Sequence, residues 1–235
     1  MNILITGTSS GIGFGLALQY LQQEHDVFGI SRKSNNELNT YAKFHFNPLD
    51  LSEFEEIQKT VPPWIKDVSN LNLVILNAGI LPVIGDLKDT SLESIYKVMD
   101  VNVWSNKILL DILFENVAVE QVVAISSGAA TSGSRGWNAY SLSKATLNML
   151  VNLYAKEQED THFTAMAPGI IDTNMQEYIS GLPEEESFPV IEKLKKAKGT
   201  PSMPDAVKAA PALMDAFKKA KNYPSGTFVD VRNMD

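Results

Sequence analysis

The chain has 235 residues, 44% hydrophobic and 20% charged, with a formal net charge of −8, three histidines and no cysteine. That length fits one large domain with a substantial apolar core, which excludes global disorder. The missing cysteines exclude disulfides, thiolate catalysis and cysteine zinc sites, no metal site is expected, and the acidic balance argues against general binding to nucleic acid or membrane.

Residues 2–6 read as a first strand, not as the start of a signal peptide, because no basic region precedes a long apolar stretch. A helix is expected from about Gly13, followed by strands at 27–31, 73–76, 122–126 and 161–165. These runs are apolar on both faces. They predict a single-domain α/β protein with a Rossmann-like, doubly wound parallel sheet and helices on both faces. The most apolar stretch, 71–84, is interrupted by Asn72, Asn77, Gly79 and Pro82. It falls short of the roughly 18 residues needed to span a bilayer. The lack of cysteine is compatible with a reducing cytoplasm.

Residues 178–204 break the pattern with Gly181, Pro183, an acidic triplet at 184–186, Pro189 and Gly199. A substrate lid over about 175–204 is expected, with a short exposed helix at 192–198. A solvated surface excursion is the plainer alternative.

The first strand runs into Thr6-Gly7-Thr8-Ser9-Ser10-Gly11-Ile12-Gly13. A glycine-rich turn opening a helix lets backbone amides approach a pyrophosphate, which makes Gly7, Ser9, Ser10, Gly11, Ile12 and Gly13 candidate cofactor contacts. A purely structural tight turn is the alternative. The second strand ends at Ser31-Arg32-Lys33, where a carboxylate would hold the ribose of NAD. A hydroxyl and two cations suit the 2′-phosphate of NADP(H) instead.

Tyr140 and Lys144 stand four apart, one turn along one helix face. Moving a tyrosine from a pKa near 10 to about 7 takes roughly 4 kcal/mol of preference for the phenolate. A nearby ammonium and an oxidised nicotinamide are the expected sources. A half-buried ring with a snorkelling lysine is the alternative. Ser127 ends a predicted strand and lies close enough in such a fold to share a substrate oxygen, although serine is also an ordinary turn former.

Together these motifs resemble the short-chain dehydrogenases/reductases over nearly the whole chain. The glycine turn, Asp50-Leu51, Asn77-Ala78-Gly79, Asn102, Ser127, Tyr140, Lys144 and Pro168-Gly169 occur in the family's order. Leu76 stands where the family often carries a second asparagine. The resemblance implies that Asp50 and Leu51 contact adenine, that Asn77, Ala78 and Gly79 support the ribose region, and that Ile171 and Thr173 hold the nicotinamide carboxamide beside Pro168 and Gly169. It further implies that Asn102 orders a water beside Lys144. It also implies a homodimer or homotetramer built on helices near 102–115 and 141–157. Read alone, Asn102 is a polar residue at a helix kink, Asp50 is a helix cap, and the apolar residues of those helices are core stripes.

Within the family, Gly136-Trp137-Asn138-Ala139-Tyr140 and the run Asp172-Thr173-Asn174-Met175-Gln176 are similar to sepiapterin reductase and bacterial benzil reductases. The C-terminal Gly226-Thr227-Phe228-Val229-Asp230 is similar to sepiapterin reductase. This implies substrate contacts from Trp137 and Asp230, although Asp230 reads equally as a strand-end or salt-bridge residue. The expected activity is NADPH-dependent reduction of a ketone or vicinal dicarbonyl, with Tyr140 donating the proton and Ser127 bonding the same oxygen. The rivals are an NAD-dependent alcohol dehydrogenase and a non-catalytic NADP(H)-sensing regulator.

Overall fold

The β-rich runs become strands β1 (Asn2–Thr6), β2 (Asp26–Ser31), β3 (Phe44–Pro48), β4 (Leu73–Leu76), β5 (Gln121–Ile125), β6 (His162–Ala167) and β7 (Thr227–Asp230). They belong to a computed structural model that describes residues 1–183 and 188–234. The acidic triplet at 184–186 lies outside the described residues. All seven strands pair in parallel in the order β3-β2-β1-β4-β5-β6-β7. The order reverses between β1 and β4, and the crevice beyond the carboxyl ends of strands at such a point is where open α/β sheets bind ligands.

The helices are α1 (Gly11–Gln22), α2 (Phe54–Ile65), α3 (Leu92–Met99), α4 (Ser105–Asn116), α5 (Ala129–Ser132), α6 (Asn138–Glu157), α7 (Asn174–Ser180), α8 (Pro189–Ala197) and α9 (Ala206–Ala220). Successive strand side chains point to opposite faces, so each strand feeds two cores. Leu4, Val74, Val122 and Phe163 pack with Ile57, Leu109, Leu113 and Leu147 from α2, α4 and α6. Ile3, Ile5, Ile75 and Met166 pack with Leu16, Leu21, Leu213 and Phe217 from α1 and α9. Burial on both sides explains why these strands read as continuous apolar runs.

One sequence expectation needs correction. The helix expected at 192–198 starts three residues earlier, at Pro189, where proline's fixed φ suits a first turn. It is amphipathic and not simply exposed, because Ile191 and Leu194 turn inward, one turn apart, onto Trp137, Tyr140, Ile179 and Met203. Asn102 lies in a π-helical turn, Asp100–Trp104, wedged between α3 and α4. Such turns commonly mark functional positions.

Among the described residues no helix is long and apolar enough to cross a membrane.

Candidate active site

A cavity of about 1260 Å³ opens at the carboxyl ends of the strands. Its cofactor-side wall starts where β1 ends. Gly7 and Gly11 adopt φ of +78° and +60°, which lets the chain turn sharply into α1. Asn77 at the end of β4 locks that turn: its Nδ2 donates to the Thr6 carbonyl at 2.9 Å. The Thr6 hydroxyl accepts in return from the amides of Asn77 and Ala78, at 2.9 and 3.0 Å. A Cβ on Gly13 would sit 2.3 Å from the Gly7 carbonyl oxygen. Gly13 therefore acts behind the turn by close packing, while Gly7, Ser9, Ser10, Gly11 and Ile12 line the cavity. Ser10 makes no side-chain cap and no acidic residue occupies the first turn of α1. Its first amides are thus left available to an anion.

At the end of β2, Arg32 lines the cavity and its side chain makes no hydrogen bond or ion pair with the described residues. Lys33, next to it, is not among the lining residues. The Ser31 hydroxyl lines the cavity but is already engaged, bonding the Lys33 carbonyl at 2.9 Å and lying 3.3 Å from the Thr8 hydroxyl. Asp50 and Leu51 form the neighbouring wall. The Ser52 amide and hydroxyl hold the Asp50 carboxyl below its usual range, helped by Arg32 and Lys97. Asp50 thereby closes a turn ahead of α2, whose cap is Glu53. Asn77, Ala78, Gly79, Pro168, Gly169, Ile171 and Thr173 complete the wall.

Ser127, Tyr140 and Lys144 meet at the centre. Burial pushes the Tyr140 phenol up to about 12, and a hydrogen bond with the Ser127 hydroxyl pulls it back in part. Lys144 is buried on the same face of α6, its ammonium 5.7 Å from the Tyr140 ring centre and donating to the Ile125 carbonyl at 2.7 Å. Burial alone lowers it to about 8. The expected lowering of the tyrosine pKa is therefore not a property of the chain alone. The ammonium is engaged by a backbone carbonyl, and desolvation of the phenolate dominates.

Asn102 is fully buried and does not line the cavity. Its Oδ1 accepts from the Ile80 amide at 2.8 Å, and its Nδ2 donates to the Ile80 carbonyl and to the Ser143 hydroxyl, both at 3.0 Å. It thus clamps the loop after β4 against α6. The Asn102 carbonyl accepts from Asn106 Nδ2 at 2.9 Å.

The opposite wall is made of side chains from distant segments. Trp137 is buried, its ring 5.6 Å from that of Tyr140, and it lines the cavity with Met175, Ile179, Val190 and Leu194. Arg135 binds Asp86 through two contacts of 2.6 Å and lies 5.5 Å over Phe188. Asp230 lines the cavity as expected, but both its oxygens are taken by Arg232, at 2.8 Å to Nε and 2.5 Å to Nη2. That pairing, with a bond from the Arg232 amide, holds its carboxyl below the usual range. Of its two expected readings, the salt-bridge one is what the structure shows for Asp230.

Sequence reasoning missed Ser52, Lys97, Arg135, Lys193 and Arg232, all of which line the cavity. The available signals were weak: Arg232 stands two residues past the matched C-terminal motif and Arg135 one before the matched Gly136 run. Among the described residues no three His, Asp or Glu side chains gather as a metal would require.

A family model described as short chain dehydrogenase matches residues 1–181. A benzil reductase, (S)-benzoin forming, from Bacillus subtilis is 28% identical over 97% of each chain. The crystal structure of the short-chain dehydrogenase/reductase YIR035C from Saccharomyces cerevisiae superposes with a TM-score of 0.85 at 24% identity, covering 99% of this chain and 96% of that one. The structure of ElxO with NADP bound superposes with a TM-score of 0.79 at 23% identity, covering 98% and 96%.

Proposed function

This chain belongs to the short-chain dehydrogenase family of oxidoreductases, and we propose that it is an NADPH-dependent carbonyl reductase acting on a ketone or vicinal dicarbonyl. The observation that carries the reading is the convergence of Ser127, Tyr140 and Lys144 on one cavity beside an anion-ready helix start. The residues fit the cofactor: the Gly13 packing keeps the turn free of side chains where a pyrophosphate would approach, and Arg32 offers an unpaired guanidinium for the 2′-phosphate. The relative named benzil reductase supports the substrate class and the NADP-bound neighbour supports the cofactor.

When bound, NADPH supplies the hydride. Tyr140 donates its proton to the carbonyl oxygen as negative charge develops there, and a phenol held near 12 is fully protonated for that task. Ser127 hydrogen-bonds the same oxygen and fixes its approach. Lys144 provides positive charge beneath the phenolate and an anchor for the nicotinamide ribose. Asn102 holds the loop at Ile80 and α6 in register from behind. Within the expected lid at about 175–204, α8 acts as a cover, since it rests on Trp137 and Tyr140 through Ile191 and Leu194. Exposed Trp104, Leu142, Met149 and Leu153 on the π-turn and α6 support a homo-oligomer built on these elements. A cytoplasmic location accords with a chain that has no cysteine to oxidise.

The test compares NADPH with NADH as reductant for benzil, a simple diketone and sepiapterin. NADPH is expected to be at least tenfold better in kcat/KM, and Arg32→Ser is expected to erase most of that preference. Equal use of NADH, with preferred oxidation of alcohols, would favour the dehydrogenase reading. Tight cofactor binding without turnover across the panel would favour the sensor.

A further inference from the structure

The geometry points to Arg232 as a specificity-determining residue that receives a second, uncharged oxygen next to the reacting carbonyl, with Asp230 as its positioning residue. This rests on the carbonyl-reductase reading above. Asp230 sits at the end of β7 with its side chain 10% exposed, and its two oxygens accept from Nε and Nη2 of Arg232. The backbone amide of Arg232 also donates to Asp230, at 3.0 Å, which fixes the tail after β7. The guanidinium is thus held by one edge, and its side chain remains 55% exposed on the cavity. Both N–H groups of Nη1 and one of Nη2 have no partner among the described residues. Nη2 lies 3.6 Å from where a Gly128 Cβ would be, directly beside Ser127.

A bidentate arginine presents donors in a fixed plane, so an acceptor one or two bonds from the reacting carbon meets a defined direction. The carboxylate of Asp230 offsets the guanidinium charge. The pair therefore offers N–H donors with little net charge, which suits a neutral carbonyl better than a carboxylate, and a vicinal dicarbonyl carries that second oxygen. A monoketone leaves the donors to water. Discrimination of this kind is efficient because the protein's polar group loses its partner with the wrong substrate.

Three probes test this: propiophenone, 1-phenyl-1,2-propanedione and benzoylformate, in steady-state kinetics and in titrations of the NADP⁺-loaded protein. Arg232→Leu is expected to lower the diketone-to-monoketone ratio of kcat/KM at least tenfold, mainly through KM. Asp230→Asn is expected to lower it less, and Arg232→Lys to recover part of it. An unchanged ratio, or a loss confined to benzoylformate, overturns the assignment. If the wild-type protein reduces none of the probes, the carbonyl-reductase reading fails on its own. The titrations then decide the inference: weaker diketone binding to Arg232→Leu supports it, and equal binding overturns it.

Discussion

The two walls of the cavity are built in different ways. On the cofactor side every critical contact has a backbone group on one side at least: Asn77 to Thr6, and Gly13 against Gly7. On the substrate side they are side-chain pairs between remote segments: Asp86 with Arg135, Arg135 over Phe188, and Asp230 with Arg232. Backbone contacts tolerate no change in shape, whereas side-chain pairs can be exchanged without moving the sheet. One fold can thus keep a fixed cofactor while its substrate preference varies.

The largest expected effect comes from placing the same methyl group on both walls. Gly13→Ala sets a Cβ 2.3 Å from a backbone oxygen, and NADPH affinity measured by fluorescence titration is expected to fall at least a hundredfold. Gly136→Ala meets the Phe188 ring at 2.8 Å, in a residue with φ of +99°. The side chain can swing aside, so the expected result is a stability loss of about 1–2 kcal/mol and a few-fold change in carbonyl KM, with NADPH affinity nearly kept. Equal loss of cofactor binding in both variants would break the contrast.

A smaller effect comes from the residue between the walls. Burial lowers Lys144 from 10.5 to about 8. The unfolded chain therefore binds more protons than the folded one between those values, and stability rises with pH across that window. The penalty is full below about pH 8 and gone above 10.5. Lys144→Met is expected to stabilise the free protein at pH 7 by about 1–3 kcal/mol in urea unfolding, and the gain is expected to vanish near pH 10.5. A destabilised variant at pH 7 would show that the bond to Ile125 outweighs the burial of the charge.

The same contrast explains what the sequence revealed. Glycines, strand-end residues and the Tyr140–Lys144 spacing are local features with a fixed geometric meaning, so the parallel sheet, the turn and the meeting of Tyr140 with Lys144 on one helix face were legible. The direction of a charged side chain is not local. Nothing near Lys33 separates it from Arg32, although only Arg32 of the two lines the cavity. Nothing near Asp230 says that Arg232 takes both its oxygens, because that outcome depends on how the tail leaves β7. Asn102 was legible as important and not as a clamp, since its partners Ile80 and Ser143 come from two other elements. The start of α8 was missed because its inward face is defined only once Trp137 and Tyr140 are in place.

The most direct test of the central claim is a single-turnover measurement of NADPH oxidation at 340 nm with benzil, comparing the wild-type protein with Tyr140→Phe. If Tyr140 is the proton donor, the variant should bind NADPH normally while its hydride-transfer rate falls by about 10²–10⁴-fold. A rate within a few-fold of wild type would contradict the account, placing proton donation elsewhere in the cavity.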